Sequence, residues 1–128
     1  MREILFRGKT NKGEWVEGSL VIALGWSLIL GKRQKEYRIY DLHDNYKRVI
    51  PETIGQYTGL TDKNGKKIFE GDIFAHPNKK KYKYIVDWID DIASFGWFNG
   101  NGVGFDNKEI EIIGNIHDNP ELLGGDTK

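Results

Sequence analysis

The chain has 128 residues, and its 19 lysines and arginines balance 19 aspartates and glutamates, so its formal charge at neutral pH is zero. This balance argues against a wholly basic nucleic-acid-binding protein and against a polybasic protein of the membrane surface. The lack of cysteine excludes a disulfide scaffold, thiolate metal sites and a cysteine nucleophile, and no apolar run approaches the roughly 20 residues that cross a bilayer.

Short runs of alternating apolar and polar residues, separated by turn residues, predict a mainly β protein. The first run contains Ile4 and Phe6 and is followed by a turn signal at residues 10–13. Residues 16–22 then alternate again. This pattern predicts an N-terminal hairpin.

An apolar run follows at residues 25–31, and the glycines at both of its ends favour a short buried strand over a helix. The polar residues 32–36 predict an exposed loop, and residues 37–42 predict the next strand.

The second half of the chain has clearer signals. The Asn64-Gly65 pair between residues 54–60 and 67–74 is the strongest hairpin signal in the sequence. Further strands are predicted at three later segments, residues 82–88, 95–98 and 110–116. These elements predict an all-β fold with an N-terminal strand layer, residues 1–54, packed on a small SH3-like barrel, residues 55–128.

The segment from Arg48 to Ile73, RVIPETIGQYTGLTDKNGKKIFEGDI, resembles the YopX family, and residues 2–7, 13–18 and 113–122 resemble the start and end of that family. The resemblance implies a largely β fold with an SH3-like C-terminal barrel. It also implies a protein encoded by bacteriophages or prophages, which we expect in the cytoplasm of the bacterial host. It implies no activity and no catalytic residues, because the family is known as uncharacterised.

Turn chemistry accounts for the residues of this segment. Gly55, Gly59 and Gly71 suit bulges or close strand crossings. Glu70 and Asp72 flank Gly71, where their carboxylates are expected to accept hydrogen bonds from turn amides. The segment therefore favours architecture over a binding site.

The titratable side chains give little support for catalysis. His43, His76 and His117 lack the close spacing of zinc ligands. A distant alternative is a carboxylate-based hydrolase around Asp90 and Asp91. Other acidic residues are available to such a site, namely Asp87, Asp106, Glu109 and Glu111. Because no nucleophile, base and orienting group occur together, we expect no enzyme, no cofactor, no metal and no small-molecule substrate.

A basic segment with interleaved tyrosines is the sharpest binding candidate. Lys79, Lys80, Lys81 and Lys83, with Arg33 and Lys35 as further cations, are predicted to contact nucleic acid. The alternative is a solvated basic strand, since regular alternation would point Tyr82, Tyr84, Val86 and Trp88 into the core and the lysines to water.

Self-association is the leading expectation for function. Residues 1–86 carry 17 basic and 10 acidic side chains, whereas residues 87–128 carry 2 and 9. Trp97 and Phe98 place aromatic side chains on both faces of a short strand, and a second copy is one way to cover them. We therefore expect a homo-oligomeric binding or assembly module, with a nucleic-acid-binding barrel as the alternative.

Overall fold

The computed structural model describes residues 3–89, 94–97 and 106–124. Over these residues the fold is mainly β, as predicted. The strands are β1 Phe6–Lys9, β2 Trp15–Ser27, β3 Lys32–Tyr40, β4 Tyr46–Arg48, β5 Ile50–Thr61, β6 Lys67–Phe69, β7 Asp72–Ala75, β8 Lys83–Ile89, β9 Ser94–Trp97 and β10 Ile112–Asn115. A 3₁₀ helix at Asn107–Glu109 and a short helix, α1, at Glu121–Gly124 complete the described elements. The chain divides into two compact units, Met1–Gln56 and Tyr57–Lys128.

The first unit contains β1 to β4 and the start of β5, which lie in the antiparallel order β4-β3-β2-β1-β5; in the six-stranded sheet β6 follows β5. The predicted N-terminal hairpin is confirmed: β1 and β2 pair from Phe6 opposite Gly18 to Lys9 opposite Trp15. Its turn closes where the amide of Gly13 donates to the carbonyl of Thr10 at 2.9 Å.

The second hairpin differs from the sequence prediction. Residues 32–36, predicted to be an exposed loop, belong to β3, and residues 25–31, predicted to be a buried strand, form the end of β2 and a turn. The turn closes because the amide of Gly31 donates to the carbonyl of Ser27 at 2.8 Å, and Gly31 has the positive φ of 64° that favours glycine. The apolar run is therefore a hairpin tip rather than part of a core.

The buried apolar side chains of the first unit lie near the base of this hairpin. Ile39 and Val49 are buried. A methyl group added at Gly8 would lie 2.9 Å from Cβ of Val49, which shows how closely β1 packs there. Residues 25–31 lie beyond this small core.

The second unit contains the hairpin predicted from Asn64-Gly65. Thr61 pairs with Lys67, and Gly65 has a φ of 82°. The returning segment, predicted as one strand over residues 67–74, is instead broken between β6 and β7. There the Oδ2 of Asp72 accepts the amide of Phe69 at 2.8 Å, the turn bond expected for this carboxylate.

A second antiparallel sheet has the order β10-β7-β8-β9. The phenyl ring of Phe74 and the phenol of Tyr84 stack with 5.2 Å between their centroids. The core cluster of this unit consists of Ile68, Phe74, Tyr84, Val86, Ile110 and Ile112. Its closure into an SH3-like barrel stays a prediction.

Candidate binding surfaces

A two-stranded arm extends from the sheet of the first unit. We define the arm as residues 19–36, which comprise β2 from Ser19, the turn, and β3 up to Glu36. Strand β1 pairs with β2 only at residues 15–18, and β4 pairs with β3 only at residues 38–40. Among the described strands, the two strands of the arm therefore pair only with each other.

The arm exposes large apolar side chains to solvent. Leu24 and Trp26 are each 64% exposed, and Ile29 at the tip is 96% exposed. The complete set is Val21, Ile22, Leu24, Trp26, Leu28, Ile29 and Leu30. Clusters of exposed large apolar side chains are uncommon on monomeric soluble proteins and often mark interaction sites.

The apolar side chains of the arm are concentrated on one face. Side chains alternate along a strand, so Leu20, Ile22, Leu24 and Trp26 share a face of β2. Their partners on β3 are, in the same order, Ile39, Tyr37, Lys35 and Arg33. Arg33 and Lys35, predicted as nucleic-acid contacts, thus lie beside Trp26 and Leu24 near the tip.

The opposite face carries an ion-pair cluster. A carboxylate oxygen of Glu36 lies 2.6 Å from Nε of Arg48, and the other accepts a hydrogen bond from Arg38. The hydrogen bond from Arg38 lowers the pKa of Glu36, and the charge of Arg48 lowers it further, against the opposing effect of desolvation. The charged groups of this face therefore pair with one another, whereas the apolar side chains of the other face are exposed to solvent.

A basic loop connects β7 and β8 in the second unit. Lys79, Lys80 and Lys81 are exposed, and the loop is closed by the amide of Tyr82, which donates to the carbonyl of Lys79 at 3.0 Å. Nζ of Lys83 donates to the carbonyl of Lys80 at 2.8 Å. The structure therefore brings these four predicted lysines together, while Arg33 and Lys35 belong to the other unit.

The predicted burial of the aromatic residues in the core is wrong at both ends of this segment. Tyr84 and Val86 are buried, but Tyr82 is 45% and Trp88 43% exposed. Because β8 begins only at Lys83, Tyr82 lies in the loop and does not follow the strand alternation. Nζ of Lys81 lies 5.1 Å from the centroid of the Tyr82 ring, so a cation and an aromatic ring share one surface.

The acidic residues have structural partners where they are described. Asp106 and Glu109 form a capping box on the 3₁₀ helix, and Glu111 accepts a hydrogen bond from Asn64 at 3.0 Å. Asp90 and Asp91, the centre of the hydrolase alternative, lie outside the described residues.

The remaining predicted contacts and sites can be placed only in part. Phe98 lies outside the described residues, and Trp97 is described only as the last residue of β9. Within the described ranges, no group of three or more histidines, aspartates and glutamates is placed to hold a metal ion. A cleft of about 430 Å³ lies in the first unit, and Glu14 and Lys47 in its lining pair with each other at 2.7 Å.

Comparison with known proteins identifies the family. The pattern of the family described as YopX protein matches residues 5–124. The chain belongs to the YopX family. The resemblance inferred from residues 48–73 is thereby confirmed.

A solved structure of similar fold accompanies this family match. The crystal structure of protein EF1440 from Enterococcus faecalis is 27% identical, with a TM-score of 0.57. The match covers 96% of this chain and 99% of that one. No curated protein matches this YopX-family chain.

Neither the family description nor the name of the solved structure points to a catalytic activity. In the part of the chain that the structure describes, no helix has the length and apolar character needed to cross a membrane. The comparisons therefore supply a family and a fold.

The arm is the surface that sequence reasoning missed. A usable signal was present, because residues 19–30 contain no charged side chain while residues 32–36 contain four. An uncharged strand followed by a tight turn and a charged strand is a pattern that a solvent-exposed hairpin can have. The periodicity of residues 25–31 alone does not distinguish such a hairpin from a buried strand.

Proposed function

We propose that this YopX-family protein is a non-enzymatic accessory protein of phage or prophage type, acting in the bacterial cytoplasm as an assembly module that self-associates through the arm. The observation that carries the proposal is the open apolar face of β2, with Leu24 and Trp26 each 64% exposed. A second copy that places its own apolar side chains beside these removes part of their surface from water, and this stabilises the contact by roughly 25 cal/mol for each Å² of apolar surface removed.

The arm is a better candidate for this contact than the pair Trp97 and Phe98. An isolated two-stranded hairpin is only marginally stable in water, and a partner strand or sheet is the usual remedy. Beyond their hairpin partner β3, residues 19–27 pair with no third strand among the described strands. The contact through Trp97 and Phe98 stays a prediction.

The mass of the protein in solution tests self-association. We expect light scattering behind a sizing column to give twice the chain mass of 14.7 kDa for the wild type and 14.7 kDa for Leu24→Glu. Inside its own arm the new glutamate faces Lys35, an opposite charge, so the arm itself is not weakened. At the contact, however, the variant places a carboxylate among the apolar side chains of the second copy.

A matched control is available outside the arm. Leu42, in the turn after β3, is 100% exposed, so Leu42→Glu makes the same chemical change at a site where we expect no contact. The control should keep the mass of the wild type. A wild-type protein that remains monomeric at all concentrations contradicts the proposal.

Binding of single-stranded nucleic acid at the basic loop is the second candidate function. It is favoured by the exposed Tyr82 ring beside Lys81, because single strands are held by cations along the phosphates and aromatic rings against the bases. The adjacent Lys79 and Lys80 are exposed and extend the positive surface.

Titration of single-stranded oligonucleotides at two salt concentrations tests this candidate. We expect binding that weakens steeply between about 50 and 200 mM salt, because binding releases cations from the phosphates and this release becomes less favourable as the salt concentration rises. Tyr82→Ala should weaken it by loss of stacking, whereas Tyr46→Ala, at a similarly exposed tyrosine of the first unit, should not. No binding at the lower salt concentration rules this candidate out.

A further inference from the structure

We propose that a second copy of the chain adds to the free edge of β2, so that residues 19–27 of the two copies pair as antiparallel strands with Ala23 on the twofold axis. This inference rests on the proposed function, because it specifies the contact through which the arm associates. The product is a four-stranded sheet in which the two β2 strands are central and the two β3 strands are outermost.

The first support is the open backbone of β2. Strand β2 uses one edge for β3 over residues 19–27, and its other edge pairs with β1 only as far as Gly18. The described residues before β1, residues 3–5, belong to no strand. Among the described strands, nine consecutive residues of β2 thus have an unpaired edge, which is a template for adding another strand.

The second support is the difference in charge between the two edges of the arm. Soluble proteins protect free strand edges with charged side chains, lysine above all, or with proline. Residues 32–36 of β3 have this protection in Lys32, Arg33 and Lys35. Residues 19–27 of β2 contain neither a charged side chain nor proline. The uncharged edge is therefore the one that accepts a second copy.

The third support is the self-complementarity of the segment. When the whole free stretch pairs with itself, its midpoint, Ala23, opposes Ala23 of the second copy. On the apolar face, Leu20 then opposes Trp26 and Ile22 opposes Leu24. On the other face, Ser19 opposes Ser27 and Val21 opposes Gly25. Apolar cross-strand pairs of this kind stabilise antiparallel sheets, and the isologous arrangement closes after two copies.

The absence of native cysteine makes disulfide trapping a direct test, since every crosslink must come from the introduced residue. In the proposed register the cysteines that Ala23→Cys introduces in the two copies face each other within the roughly 7 Å between Cα atoms that a disulfide permits. Ala23→Cys should therefore form covalent dimers under mild oxidation.

Val21→Cys is the matched control on the same face. Val21 is 41% exposed, so random collisions would oxidise a cysteine there readily. In the proposed register the two residues 21 lie about 14 Å apart along the strands, which is too far for a disulfide. We expect Ala23→Cys to crosslink about tenfold faster or more, because its partner is held at high effective concentration.

A mixed pair tests the register independently. Ser19→Cys and Ser27→Cys should not crosslink when each is oxidised alone, because like residues then lie about 27 Å apart along the strands. Mixed together, the two variants should form the heterodimer. Leu24→Glu added to Ala23→Cys should abolish its crosslink.

The outcomes separate this inference from the proposed function. A protein of twice the chain mass in which Ala23→Cys crosslinks no faster than Val21→Cys overturns the edge pairing and leaves self-association standing. Equal crosslinking at all tested positions likewise overturns it. A protein that is monomeric by mass overturns the proposed function and this inference with it.

Discussion

At the scale of single residues, the carboxylate of Asp62 joins two distant segments of the second unit. Its Oδ1 accepts the amides of Asn64 and Lys66, each at 2.9 Å, and its Oδ2 accepts the amide of Ile112 at 3.0 Å. Asp62 is only 4% exposed. Burial raises the pKa of this carboxyl group, but the three amide donors outweigh burial and hold the pKa below its ordinary value.

We expect Asp62→Asn to lower the free energy of unfolding at neutral pH by about 1–3 kcal/mol. The side-chain nitrogen of the asparagine would replace one of the two accepting oxygens, so a buried backbone amide that donates to Asp62 would lose its acceptor. Because the pKa of Asp62 is lower in the folded state than in the unfolded state, where it is near 3.8, the ionised carboxylate stabilises the fold above pH 3.8. This stabilisation is lost as the pH falls through the lower pKa of the folded state. Urea unfolding at pH 7 and pH 3 measures both effects, and the gap between variant and wild type should narrow in acid.

Asp41 supplies the control for this change. Its Oδ1 alone accepts the amides of His43 and Asn45, at 2.8 and 3.1 Å, in an exposed turn. Asparagine retains that oxygen, so Asp41→Asn should cost clearly less than Asp62→Asn. Equal losses in the two variants would show that the third hydrogen bond, to Ile112, contributes nothing.

The sequence was a good guide to such residues only where the chemistry is local. The turn at Asn64-Gly65 and the carboxylate of Asp72 follow from residue type and neighbours. The bond from Asp62 to Ile112 spans 50 residues of sequence, and no local pattern specifies it.

At the scale of elements, Gly18 determines how the arm leaves the sheet. It is the last residue of β2 paired with β1, and a methyl group placed on it would lie 2.0 Å from the carbonyl oxygen of Tyr40. The end of β3 therefore approaches the backbone of β2 so closely that only glycine fits at position 18.

We expect Gly18→Ala to lower the free energy of unfolding by about 1–3 kcal/mol, the usual cost of a steric overlap with surroundings that cannot move freely. Gly25→Ala is the control within the same strand. Its methyl group would meet the carboxylate end of Glu36 at 2.7 Å, a flexible side chain that can shift. Thermal unfolding of both variants decides the matter, and a loss as large at Gly25 would contradict this account of Gly18.

The arm also shows why element prediction failed where it did. Hydrophobicity within residues 25–31 predicts burial only if the rest of the chain supplies a covering surface, and in the first unit the buried side chains, such as Ile39 and Val49, lie near the base of the arm. The β3 residues 32–36 looked like a loop because both of their faces are polar. Their strand conformation depends on pairing with β2, which single-segment patterns do not contain.

At the scale of the whole molecule, the sequence was sufficient for the mainly β class and for the YopX family, because both depend on features distributed along the chain. It was not sufficient for the interaction surface, which depends on which apolar residues the fold leaves uncovered. The formal charge of zero is uninformative here, since the basic loop and the uncharged edge of β2 are separate local features.

The two proposed activities respond differently to salt, and this distinguishes them in one preparation. A contact between residues 19–27 of two copies should largely persist when ionic strength rises, because the paired residues themselves carry no charge for salt to screen. Binding to nucleic acid through the lysines should be lost over the same range. A dimer that dissociates with rising salt would point to a contact other than the edge of β2.

The unequal edges of the arm have a consequence for how far assembly can proceed. A strand edge that accepts another copy usually presents a new edge for the next copy, which is how open filaments and fibres grow. Here the first pairing uses both uncharged edges and leaves the lysine- and arginine-bearing edges of β3 on the outside. Assembly would therefore stop at the dimer. An apolar strand of the kind that promotes aggregation would then form a complex of limited size.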